Sequence, residues 1–124
     1  MIIPPRAVII ASGLLVMVLT GLRLTRAGRP YPVLVLALHK LLSLGVLVLL
    51  IHTAMQVHRM APLSRSEMVT TAVTTFLSLG LAASGGLLSG RAQAPRALKV
   101  GHHVAGYLSV IATGVALYLL LAGI

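Results

Sequence analysis

Few side chains of this 124-residue sequence have the capacity for chemistry. There are five histidines (39, 52, 58, 102 and 103), no cysteine and one carboxylate, Glu67. Neutral imidazole is a nitrogen donor suited to iron, copper and zinc, whereas the missing thiols exclude disulfides and thiolate metal sites. A single carboxylate gives neither a paired acid and base nor an oxygen cage for a hard cation. His39, His52, His102 and His103 lie inside strongly apolar runs. An ionisable group there is costly and by default functional. His58 stands beside Arg59 at the end of such a run and reads as a solvated interfacial residue.

The runs that carry these histidines decide what the solvent is. Apolar residues make up 58% of the chain and charged residues 9%, too few charges to cover a soluble domain. Four runs are expected as helices, about 6–25, 32–57, 65–89 and 95–122. Each holds about twenty residues or more, enough at 1.5 Å per residue to cross a hydrocarbon core of roughly 30 Å. Pro4-Pro5 precedes the first run, and "TRAGRPYP", "HRMAPLSRS" and "SGRAQAP" separate the four. Ser64 and Glu67 have the spacing of a capping box. With no small-x-small cleavage site behind it, the first run is expected to be a retained helix. Short loops make successive helices antiparallel. The expected fold is therefore all-α, a transmembrane up-down-up-down four-helix bundle in one domain covering 1–124.

The net charge of +9 does not point to nucleic acid. With no Trp, one Phe and three Tyr there is no stacking platform, and the basic residues sit between the apolar runs. That pattern is the flanking charge of membrane helices. Arg23, Arg26, Arg29, Lys40, Arg91, Arg96 and Lys99 gather at the first and third loops, against Arg6, Arg59 and Arg65 on the opposite side. The positive-inside rule then expects both termini outside a bacterial or archaeal cytoplasmic membrane. A cation transporter is disfavoured, because such proteins need carboxylates within the membrane.

Depth links two of the histidines. His39 follows Pro32 by seven residues, and His102 follows Pro95 by seven. If both prolines start helices that run in one direction, the imidazoles lie at one level, roughly 10 Å from the cytoplasmic helix ends. His103 would reach the same layer. In a square bundle the second and fourth helices are diagonal, about 11–14 Å apart given usual interaxial distances. Two inward imidazoles across that gap suit a porphyrin iron with two axial histidines. Lys99 and Arg96, one and two turns before His102, would face the anionic propionates, although cations are expected at this membrane side in any case. His102 shares a stripe with Ala105, Ser109, Ala112 and Ala116, while Gly106 beside His103 would admit a macrocycle edge. Helix phase favours His102 slightly, and the choice between the two stays open. "GRPYPVLVLALH" and "GRAQAPRALKVGHH" each run Gly-Arg, Pro, then His, as a duplicated hairpin would.

The arrangement resembles the small four-helix membrane cytochromes of b type, which hold haem between histidines on their helices. The resemblance covers the whole chain in topology and rests on His39 in "ALHKLLSLG" and on His102-His103 in "KVGHHVAGYLSV". It implies haem b as cofactor and electron transfer with a quinone or a redox partner protein. Bis-histidine ligation leaves no open iron position for a substrate. Many relatives hold two haems. Here His52 follows His39 by thirteen residues, which turns it about 140° away, and Val115, Ala116 and Leu117 offer no ligand at the matching level. One haem is expected and a second is disfavoured. His52 is expected to hydrogen-bond a threonine of the third helix. A His/Met site through Met17 or Met55 is a minor alternative. The competing reading is a haem-free membrane anchor or assembly subunit, and homo-oligomerisation is left open.

Overall fold

The computed structural model describes residues 4–122. They form four α-helices, α1 (Pro5–Ala27), α2 (Val33–Met60), α3 (Arg65–Gly90) and α4 (Arg96–Ala122), with no strand among the described residues. The fold is all-α, and each helix is long and apolar enough to cross a membrane.

Local chemistry explains the boundaries. The Pro4 carbonyl accepts from the Ala7 N–H at 2.9 Å and opens α1. At the far end Gly28 adopts φ 65°, which a side chain would strain, and its N–H returns to the Leu24 carbonyl at 3.2 Å. The Pro32 carbonyl accepts from Leu36 N–H at 2.9 Å, and that of Pro95 from Leu98 N–H at 3.1 Å. Each proline thus stands directly before its helix, and His39 and His102 are each the seventh residue of α2 and α4. The capping box forms at α3: Ser64 N–H donates to Glu67 Oε2 at 2.6 Å, and Glu67 N–H to Ser64 Oγ at 3.3 Å. α2 continues past the expected Val57 to Met60. His58 and Arg59 suit a last turn, where cations complement the helix dipole, and Pro62 follows.

The chain divides into two compact units, one ending at Leu49 and the other starting at Leu50, so that α2 contributes to both. In the first unit, α1 and the early part of α2 form an antiparallel hairpin in which Gly13 faces Val46 and Gly21 faces His39. A Cβ on Gly13 would stand 3.0 Å from Val46 Cγ2, so glycine sets how closely the backbones approach. In the second unit, α3 and α4 pack antiparallel, with Gly85 facing His102 and Gly106 facing Leu81. Its core gathers Leu50, Ala54 and Val57 with Ala116 and Leu120, and Leu63 of the loop packs on it.

Many large apolar side chains face outward; Leu34 is 85% exposed and Phe76 76%. In water such a surface aggregates, but against acyl chains it is the ordinary outer face. The hydroxyls are turned inward on their own helices. Thr74, Thr75 and Thr113 each donate to the carbonyl four residues back, at 2.7–2.8 Å. This satisfies the donor where water is scarce.

The duplication suggested by the loop motifs continues through the spans. α2 buries Val46, Leu50, Thr53, Ala54 and Val57, and α4 buries Ser109, Thr113, Ala116, Leu117 and Leu120. These are the same positions displaced by 63 residues, the displacement that also carries Pro32 onto Pro95 and His39 onto His102. Likewise the buried Ile10 and Leu24 of α1 match Thr74 and Leu88 of α3, displaced by 64.

Candidate functional site

Each hairpin builds a setting for one histidine. In the first, the His39 ring is half-buried and lies on Gly21, where an added Cβ would meet Cε1 at 3.1 Å. Its Nδ1 is 3.0 Å from the Met17 carbonyl and 3.1 Å from Thr20 Oγ1. The Thr20 hydroxyl itself donates to the Met17 carbonyl at 2.9 Å. In the second hairpin, His102 is half-buried and lies on Gly85, where a Cβ would again meet Cε1 at 3.1 Å. Its Nδ1 is 2.7 Å from Ser84 Oγ, and Ser84 donates to the Leu81 carbonyl at 3.2 Å. The two settings share a plan: a hydroxyl bonded to the carbonyl three residues back, a glycine next to it, and an imidazole resting on both.

What the arrangement can do follows from the acceptors. A carbonyl cannot donate, so Nδ1 of His39 carries the hydrogen. The unprotonated nitrogen is then Nε2, the form in which a neutral imidazole binds a metal. His39 thus combines half-burial, a fixed tautomer and a glycine against the ring.

The other candidate residues fall elsewhere. His103 is exposed, and its ring stands edge-on to that of His102 with centroids 6.3 Å apart. His102 is thus the half-buried ring, resting on Ser84 and Gly85, and His103 the exposed one. Arg96 and Lys99 are exposed in the first turn of α4. Gly106 lies at the packing seam between α4 and α3, where a Cβ would reach Leu81 Cδ2 at 4.0 Å, an ordinary contact. His52 does not bond a threonine of α3. It is exposed, and the Gln56 side-chain amide one turn on donates to its Nε2 at 2.9 Å. A partner at i+4 on the same helix is within reach without any tertiary contact. His58 is exposed as expected, and its Nδ1 accepts from Leu63 N–H at 3.5 Å. Met17 contributes its carbonyl to His39. Met55 lines an apolar groove with His58, Met68 and Thr71. No group of three or more His, Cys, Asp or Glu gathers to hold a metal among the described residues.

Sequence reading does not pair Thr20, Gly21, Ser84 or Gly85 with the histidines. Their signal is a hydroxyl-glycine dipeptide on the first helix of each hairpin, with the glycine 18 residues before His39 and 17 before His102. It becomes visible when each hairpin is closed about its loop. No protein-family model, curated protein or solved structure matches the chain.

Proposed function

We propose that this chain is an integral-membrane haem protein of the b-type cytochrome kind, with His39 and His102 supplying the axial imidazoles for one haem b. The reading is carried by one observation: two hairpins independently hold a histidine at the seventh helix position, with Nδ1 engaged by a hydroxyl and the ring on a glycine. Bound haem supplies reversible one-electron exchange. The chain's own residues orient the imidazoles, through Thr20 and the Met17 carbonyl at His39 and Ser84 at His102, and rest them on Gly21 and Gly85. Arg96 and Lys99 occupy a helix N-terminus, where cations oppose the helix dipole. An anion there offsets that cost, and propionates fit the role. Electrons pass to a quinone or a redox protein. The excess of cations at the first and third loops supports an orientation with both termini outside a cytoplasmic membrane.

The test is a visible spectrum of the full chain purified in detergent after haem supplementation, oxidised and then reduced. A low-spin bis-imidazole spectrum that H39A and H102A each abolish is the expected result. A colourless protein after haem feeding overturns the reading. Co-purification with one stoichiometric membrane partner would then identify an anchor subunit.

A further inference from the structure

We propose that the hydroxyl–glycine pairs Thr20-Gly21 and Ser84-Gly85 are positioning residues that fix the Nδ1–H tautomer of His39 and His102 and aim Nε2 for ligation. The proposal rests on the reading of these histidines as ligands and deepens it.

The proton inventory carries the argument. A hydroxyl has one hydrogen. That of Thr20 reaches the Met17 carbonyl at 2.9 Å, and that of Ser84 has the Leu81 carbonyl within reach at 3.2 Å. What each hydroxyl then presents to the ring is a lone pair. With the hydroxyl hydrogen on the carbonyl, Nδ1 of His39 at 3.1 Å and Nδ1 of His102 at 2.7 Å bring the hydrogen to the shared contact. The Met17 carbonyl, 3.0 Å from His39 Nδ1, can only accept, so in His39 Nε2 is the lone-pair nitrogen. The shared plan of the two hairpins extends that assignment to His102, with back-bonding to the carbonyl three residues earlier favouring the hydroxyl as acceptor.

The glycine does the geometric part. Cε1 lies between the two ring nitrogens, and it is the ring atom nearest a Cβ added at either glycine, at 3.1 Å in both hairpins. That separation is tighter than most methyl contacts, so with alanine the ring must give by a few tenths of an ångström. Glycine lets the imidazole lie against the neighbouring helix while its Nδ1 edge stays on the hydroxyl. Supporting groups of this kind typically change metal affinity by about 10–100-fold when removed.

The experiment uses the full chain in lipid nanodiscs with 15N-labelled histidine, first without haem. Two-bond 15N–1H correlations report which ring nitrogen is protonated. His39 and His102 are expected as Nδ1–H tautomers in the wild type. S84A is expected to lower the Nδ1–H to Nε2–H ratio of His102 roughly tenfold, in line with losing one hydrogen bond, and S84T to restore it. An Nε2–H wild type, or an S84A ratio unchanged at His102, overturns the proposal. With haem added, S84A and G85A are expected to weaken binding by roughly tenfold or more and to admit carbon monoxide to the reduced iron. Because the tautomer measurement needs no haem, a wild type with both tautomers as expected but no haem uptake overturns the haem reading while supporting the tautomer assignment alone. Circular dichroism on each variant separates loss of fold from loss of positioning.

Discussion

The Oγ of Ser84 lies 2.7 Å from Nδ1 of His102, and the two residues belong to opposite helices of one hairpin. The Leu81 carbonyl of the same helix lies 3.2 Å from the Ser84 hydroxyl as well. Thr20 and His39 repeat the relationship in the other hairpin at 3.1 Å. Since serine serves in one hairpin and threonine in the other, the exchanges T20S and S84T are expected to be tolerated, with haem affinity within about threefold of wild type. T20V removes the hydroxyl, but the Met17 carbonyl still accepts from Nδ1. Its expected cost is a few-fold in affinity, below the 10–100-fold range of a removed supporting group. Haem titration followed at the Soret band checks all three.

Gly21 and Gly85 separate helix stability from ligand geometry. Alanine is a better helix former by about 1 kcal/mol. Yet a Cβ at either position crowds an imidazole at 3.1 Å. G21A and G85A are therefore expected to keep or raise helix content while losing low-spin haem. Gly45, whose added Cβ meets nothing within 4 Å, is the control, and G45A should leave the spectrum unchanged.

The neighbouring histidines of α4 should behave unlike each other. His102 is half-buried on Ser84 and Gly85, whereas His103 is exposed. H102A is expected to abolish the low-spin spectrum, and H103A to retain it. The reduced-minus-oxidised difference spectrum of each variant is the measurement, and a spectrum lost only in H103A would reverse the assignment.

Thr71 differs from the threonines around it. Its Oγ1 is buried without a hydrogen-bond partner among the described residues, while Thr70, Thr74 and Thr75 each donate to a backbone carbonyl. Replacing an unsatisfied hydroxyl with a methyl of the same shape removes a desolvation penalty. T71V is expected to stabilise the protein by about 1 kcal/mol. T74V, which discards a made bond at a buried site, should not stabilise it. Thermal unfolding in detergent compares the two.

The cluster of the second unit supplies a packing test. Leu50 and Leu120 are fully buried there with Ala54, Val57 and Ala116. Truncating either to alanine leaves a cavity, with an expected loss of about 2–5 kcal/mol. Leu34, 85% exposed, should lose far less in L34A. Unfolding midpoints in mixed micelles report the difference.

What the sequence determined by itself is the part written in local terms. Hydropathy over each run marks the spans, because backbone hydrogen bonds in an apolar solvent must close within the segment. Pro32 and Pro95 set the start of two helices, and Ser64 with Glu67 sets a third, since those interactions reach only three or four residues along the chain. The shared seventh position of His39 and His102 follows from the same markers. Only the tertiary structure decided who touches the imidazoles. Thr20 precedes His39 by 19 residues, and Ser84 precedes His102 by 18. They meet because two antiparallel helices bring particular faces together, and that phase depends on side-chain interlock along the whole seam. The same physics assigned His52 to Gln56 on its own helix and half-buried His102 against Ser84 while leaving His103 exposed. A one-residue step turns a helical side chain by about 100°. Composition cannot register that turn, but packing against a glycine does.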